Sequence, residues 1–238
     1  WNRYGGEVVF GSAKRVFLPP ARTSSLEFWI EVHPESVPDS KEFSGLVCRD
    51  ADWSISLAKS YPDREVLLVL ETGEFDQLDK FRIGKHKAGL KNLHLVLPPV
   101  RTVDGIREIK RYLSGERVQR GPHLKFFFRL YYPANLVLLE EFLETGLDGV
   151  ILDEEFLARG FLGTKESVEP DETMVWSIRE ASRKCRAAGA DLLYLGRRAR
   201  SFILFELVRT HVQGLIFPQE YQAEHIRALQ EAEIERLS

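Results

Sequence analysis

Short apolar runs alternate with amphipathic stretches along most of the chain. Eight of the runs read as strands, at residues 26–32, 45–49, 65–70, 93–100, 125–131, 149–152, 191–195 and 213–217. Most lack a clean in-and-out alternation, which is how strands buried on both faces read. The stretches between them carry helix signals. "TVDGIREIKRYLSGE" opens on a threonine cap and sets Val103, Ile106, Ile109, Tyr112 and Leu113 on one face. "ANLVLLEEFLETG" offers Asn135 as a cap and Gly146 as a stop, and "DETMVWSIREASRKCRAAG" runs from acids to bases before Gly189, matching the helix dipole. "SFILFELVRTH" is short and apolar, and "EYQAEHIRALQEAEIERLS" reads as a closing amphipathic helix.

Eight strands, each followed by a helical connection, predict an α/β fold of the (β/α)8 barrel type, because right-handed crossovers favour the parallel arrangement. An open doubly wound sheet uses the same alternation and is the competing architecture. Residues 1–25 fall outside the count. "GGEVVFGSAKRVFLPP" reads as a hairpin or edge strand plus an extended linker, so the expected organisation is an N-terminal extension over 1–25 and a barrel over 26–238. The chain opens on Trp1, as expected of a piece trimmed from something longer.

Composition narrows the partners. A formal charge of -3 gives no general pull toward nucleic acid or an anionic membrane, so an anion site must be a local cluster of bases. The two cysteines, Cys48 and Cys185, build no disulfide framework. With no signal peptide and no apolar run near 18 residues, the expectation is a reduced, cytoplasmic protein. The six histidines, His33 and His211 among them, show no metal-binding spacing. Trp29, Trp53 and Trp176 are expected to pack in the core or between helices.

In such a barrel, chemistry sits at the C-terminal ends of the strands. Those ends carry Arg49, Glu71, Arg101, Tyr131 and Tyr132, Asp153 to Glu155, and Arg197, Arg198 and Arg200. Arg129, inside a strand, needs a buried partner, with Glu71 or Asp153 as candidates.

The stretch "LHLVLPPVRTVDGIREIKRYLSGERVQRGPHLKFFFRLYYPANLVLLEEFLETGLDGVIL" resembles the C-terminal PEP/pyruvate-binding barrel of phosphoenolpyruvate synthase and pyruvate phosphate dikinase, the PEP-utilising enzymes. The likeness continues more weakly through "AAGADLLYLGRRA" and "VQGLIFPQ", and "GGEVVFG" is similar to the exit of that family's phosphohistidine domain. The resemblance implies Mg²⁺ held by a glutamate after strand five and an aspartate after strand six, with a cysteine as proton donor after strand seven. Those positions fall on Tyr131, Phe156 and Leu195, which are a poor ligand, no ligand and no acid. Arg49 matches a phosphate-contacting arginine of the family.

Three readings follow. The first is a PEP synthase-like barrel that has lost its phosphotransfer chemistry, with no catalytic residue, and binds a small phosphorylated or carboxylate anion through Arg49, Arg101, Arg197 and Arg198, or a protein partner. The balance of substitutions leans toward this reading and away from an enzyme. The second is a divalent-metal-dependent phosphotransferase or lyase acting on PEP, pyruvate or a related keto acid, with a metal site rebuilt from Asp153, Glu154 and Glu155. The same three acids read first as an N-cap and first turn of a helix, the commoner source of such a run. The third is a structural interaction domain. The resemblance makes Mg²⁺ the cofactor if the site works and a homodimer an expected assembly; no nucleic-acid or membrane partner is expected.

Overall fold

The computed structural model describes residues 26–33, 43–71, 73, 75–164, 172–197, 200–210 and 212–219. The N-terminal extension, the closing helix from residue 220 onward, Arg198 and His211 lie outside the described residues. Eight parallel strands close on one another in sequence order: β1 (Glu27–Glu31), β2 (Gly45–Cys48), β3 (Glu65–Val69), β4 (Leu93–Leu97), β5 (Phe126–Leu130), β6 (Gly149–Asp153), β7 (Asp191–Leu195) and β8 (Gly214–Pro218). The seam pairs β1 with β8 over five residue pairs, from Glu27 with Gly214 to Glu31 with Pro218. All eight expected strands are present, so the closed barrel holds and the open sheet does not. The β4 run stops at Leu97 because Pro98 and Pro99 cannot donate to the ladder.

The helices are α1 (Ala51–Ser60), α2 (Phe75–Ala88), α3 (Val103–Gly115), α4 (Pro133–Val137), α5 (Leu139–Glu144), α6 (Glu154–Leu162), α7 (Glu172–Ala188) and α8 (Ser201–Arg209). Thr102 caps α3 as its sequence indicates, its hydroxyl accepting from the Gly105 amide at 3.2 Å. Gly146 and Gly189 take left-handed backbone, at φ 84° and 68°, at the ends of α5 and α7. Two expectations fail locally, the second in part. Asn135 is not the cap of its helix: Pro133 starts α4 earlier, and the Asn135 side chain reaches back from the third position to accept from the Tyr132 amide at 3.0 Å. Trp176 is not in the core: it is 49% exposed, and only the alternative placement between helices holds in part, its ring on α7 lying edge-on to Phe161 of α6.

The core has two layers. Between the sheet and the helices lies a large apolar shell, and inside the barrel a separate cluster contains Trp29, Val47, Leu67, Val69, Val96, Phe127, Ile151, Leu193, Leu195 and Ile216. Trp29 and Phe127 fit this narrow interior because glycines face them. A methyl on Gly45 would lie 2.3 Å from the Trp29 ring, and one on Gly149 would lie 2.2 Å from Phe127. The packed interior supports a floor of apolar rings below the C-terminal mouth.

Candidate active site at the C-terminal mouth

Side chains two residues apart on a strand share a face. Counting two onward from inward-facing Trp29, Val47, Val69, Phe127, Ile151 and Leu195 reaches Glu31, Arg49, Glu71, Arg129, Asp153 and Arg197. Six charged side chains from six strand ends are therefore delivered to the mouth by the same alternation that fills the core.

Arg49 sits between two of them. Its Nε and Nη2 donate to Glu31 Oε1 at 3.2 and 3.1 Å, and its Nη1 donates to Glu71 Oε1 at 2.9 Å. The Arg49 side chain is 43% exposed, with Glu31 more sheltered than Glu71. Deeper, the Arg129 guanidinium donates through Nε and Nη2 to Asp153 Oδ2, and both residues are almost fully buried. Burial pushes the Asp153 carboxyl up, and the adjacent Arg129 charge opposes that shift. The Asp153 Oδ1 also accepts from the Phe156 amide at 3.1 Å, so the residue caps α6 while it neutralises Arg129.

Aromatic rings form the wall beside this pair. Tyr131 and Phe156 lie with ring centroids 4.0 Å apart, and the Arg129 guanidinium carbon stands 5.0 and 5.6 Å from their centroids. Burial raises the Tyr131 hydroxyl above its ordinary range, so it stays protonated. Leu195 is part of the barrel interior.

The three consecutive acids point to three different partners. Asp153 goes to Arg129, Glu154 accepts from the buried Tyr194 hydroxyl, and Glu155 pairs with Arg159 and, at 2.9 Å, with Arg197 Nε. Burial, opposed by the Tyr194 hydrogen bond, pushes Glu154 up to about 7. Among the described residues, no three His, Cys, Asp or Glu side chains are grouped to hold a metal ion. The oxygen-rich shell Mg²⁺ requires is not assembled by the side chains described. Of the arginines singled out in sequence, Arg49 reaches the central mouth, Arg197 is tied to Glu155 at 65% exposure, and Arg101 is exposed with its guanidinium 4.8 Å from the Tyr132 ring centroid. Glu31 was not among the residues expected at the mouth. Its sequence signal is its place two residues after Trp29.

In sequence, the chain matches no protein-family model and no curated protein. In structure it is similar to an HpcH/HpaI aldolase from Desulfitobacterium hafniense, with 12% identity and a TM-score of 0.60 over 87% of this chain and 93% of that one. An HpcH/HpaI aldolase/citrate lyase family protein from Burkholderia cenocepacia gives 12% identity and a TM-score of 0.62 over 90% and 95%. A variant of the citrate synthase SbnG gives 13% identity and a TM-score of 0.57 over 90% and 96%. These likenesses establish an eight-stranded parallel barrel. They also correct the leading expectation. A PEP synthase-like barrel without chemistry accords less well with neighbours named as aldolases and citrate lyases than the lyase reading does, and the kinase and transferase expectations find no support. Among the described residues, no helix is long and apolar enough to cross a membrane.

Proposed function

We propose that this chain is an aldol-type lyase, which breaks a carbon–carbon bond close to the carbonyl of a small carboxylate-bearing substrate at the C-terminal mouth. The observation that carries the reading is Arg49, a half-exposed guanidinium held between the carboxylates of Glu31 and Glu71. A planar guanidinium fork matches a carboxylate two bonds at a time, so a substrate carboxylate replaces one glutamate on Arg49. The displaced glutamate, Glu71 at the more open side, is then released from Arg49 next to the bound substrate, where its carboxylate serves as the proton acceptor.

The reaction balances with that one base. Glu71 takes the proton of the substrate's hydroxyl, the carbon–oxygen bond becomes a carbonyl, and the adjacent carbon–carbon bond breaks. Its electron pair passes into the neighbouring oxo group as an enolate, whose negative charge faces Arg49. The proton returns from Glu71 to the enolate carbon, leaving a 2-oxo acid and an aldehyde or ketone. Aldolase, citrate lyase and citrate synthase are names for making or breaking this kind of bond, which is the support the structural neighbours give. The sequence resemblance to pyruvate-handling barrels supplies the substrate class, a 2-oxo acid, since those barrels also pass through the enolate of pyruvate.

The test is release of a 2-oxo acid from a panel of 4-hydroxy-2-oxo acids and hydroxy-tricarboxylates, with and without added divalent cation. Turnover that Arg49→Ala lowers about ten- to a hundred-fold is expected, the range for losing a charge-assisted hydrogen-bonded pair. Absence of 2-oxo acid release from the whole panel, or a rate indifferent to Arg49→Ala, overturns the reading.

A further inference from the structure

Beside the mouth, an apolar cleft of about 400 Å³ runs between the ends of β3 and β4 and the helices α2 and α3. Its walls include Leu70, Leu78, Val100, Ile109, Tyr112 and Leu113. Glu71 belongs to both places: it lines the cleft and its Oε1 lies 2.9 Å from Arg49 Nη1. Glu71 therefore stands between a carboxylate anchor and a mainly apolar space of the size that small-molecule sites have. The polarity changes at that residue. On one side are guanidinium and carboxylates; on the other are aliphatic side chains, two prolines and a tyrosine ring, with the exposed Glu108 as the other charged residue of the lining. Among the exposed large apolar side chains of the described residues, Tyr112 stands at this rim, 42% exposed.

We propose that this cleft is the specificity subsite of the barrel and takes the apolar tail, aryl or branched alkyl, of a 2-oxo or hydroxy-oxo acid whose carboxylate sits on Arg49. The inference rests on the lyase reading and narrows it, selecting substrates with a tail over pyruvate-sized ones. A chain built only of carboxylates, such as a tricarboxylate, places charge against the aliphatic wall and is rejected, because an ionised group there has no partner. Movement of Glu71 off Arg49 on substrate binding joins anchor and cleft, so the same displacement that brings its carboxylate to the substrate admits the tail.

The experiment is calorimetric titration of the protein with pyruvate and with 2-oxo-4-phenylbutanoate, which share a head group and differ by the tail. The phenyl compound binds about ten- to a hundred-fold more tightly if its ring is buried, the range for removing one aromatic side chain's area from water. Ile109→Trp, which fills the cleft from α3, removes that ratio and leaves pyruvate binding unchanged. Should Ile109→Trp fail to fold, Tyr112→Asp at the exposed rim places a charge against the tail and has the same expected result. Equal affinities for the two acids, or a ratio that survives both substitutions, overturns the subsite while pyruvate binding leaves the lyase reading standing. If neither acid binds, the subsite falls together with that reading.

Discussion

The two ends of the barrel spend their polar side chains differently. At the N-terminal end, the side chains of Asn92 and Lys85 are wired into the backbone, beside ion pairs such as Lys125 with Glu65 at 2.7 Å. Asn92 Nδ2 lies 3.1, 3.0 and 2.8 Å from the carbonyl oxygens of Ala58, Tyr61 and Arg64, and Lys85 Nζ donates to the carbonyls of Leu90 and Leu93 at 2.7 Å each. His94, inside the structure, accepts from the Lys125 amide at 3.2 Å and turns its other nitrogen toward Glu65, whose carboxyl His94 and Lys125 hold down at about 2. At the C-terminal end the central partners are other side chains, guanidinium against carboxylate. A backbone carbonyl cannot leave its place when a ligand arrives, whereas a glutamate on an arginine can. The comparison teaches that Asn92 and Lys85 at the lower end hold backbone carbonyls that cannot move aside, whereas the half-exposed pairs of Arg49 at the upper end are the ones a ligand would have to replace.

The largest effect tests the limit of that exchange. Arg129 and Asp153 belong to the upper end but are buried, so removing one leaves an unpaired charge in the interior. Arg129→Met is expected to cost about 3–5 kcal/mol in chemical denaturation. Adding Asp153→Asn to that variant restores most of the loss, since the uncompensated charge goes with it. A small loss in the single variant would place this pair with the exchangeable ones instead.

Next comes Glu154, whose carboxyl is raised from 4.5 to about 7 by burial, against the Tyr194 hydrogen bond. A raised carboxyl means the folded chain holds a proton that the unfolded chain has already released. Stability from this group is therefore full below the unfolded value, falls as pH rises from about 4.5 to about 7, and is level above that. The loss is about 3 kcal/mol at about 1.4 kcal/mol per pH unit. Glu154→Gln keeps an acceptor for Tyr194 and removes this titration, so the fall across that window in denaturation curves taken at successive pH values is expected to be smaller than in the parent protein by about that amount.

At the lower end, Asn92→Ala removes the side-chain NH2 shared by the Ala58, Tyr61 and Arg64 carbonyls, of which Tyr61's keeps the Arg64 amide, and is expected to cost about 1–3 kcal/mol. Because Asn92 is remote from the mouth, activity per folded molecule should not change. A fall in turnover larger than the loss of folded protein would break the division of labour between the two ends.

The sequence made the strands plain because a strand buried on both faces is a short apolar run between punctuation residues, and nothing else in the chain looks like that. The helix α2 was harder to see. Its buried apolar face includes Leu78 and Phe81, and its approach to α1 depends on Gly84, where a methyl would lie 2.2 Å from Ile55. A glycine contact leaves no hydrophobic period to detect. At the mouth, Arg49 was legible from its place at a strand end, and Asp153 was one of two candidates for Arg129. Asp153 as an N-cap with Glu154 and Glu155 in the first turn of α6 was also legible; their separate partners, Arg129, Tyr194 and the pair Arg159 and Arg197, were not, because those lie on other elements or depend on the closed barrel. The contact of Tyr131 with Phe156 needs the β5 and β6 neighbourhood, which only the closed sheet supplies.

The smallest stability effect belongs to Arg49 and separates the two ends most sharply. Its side chain is 43% exposed, so water screens its pairs with Glu31 and Glu71 and takes over much of their solvation when the guanidinium is gone. Arg49→Ala is expected to change the unfolding free energy by less than about 1 kcal/mol, the range for exposed pairs, while lowering turnover about ten- to a hundred-fold. The two glutamates then repel each other across the emptied site, which is why the stability change is not zero. The useful quantity is the contrast with Arg129→Met, the same residue type at the same end of the barrel. If Arg49→Ala destabilises the fold as much as Arg129→Met does, Arg49 is a structural clasp and the open pair is not a ligand's place. A stable, folded Arg49→Ala protein that no longer turns over substrate identifies the half-exposed pair as the exchangeable one.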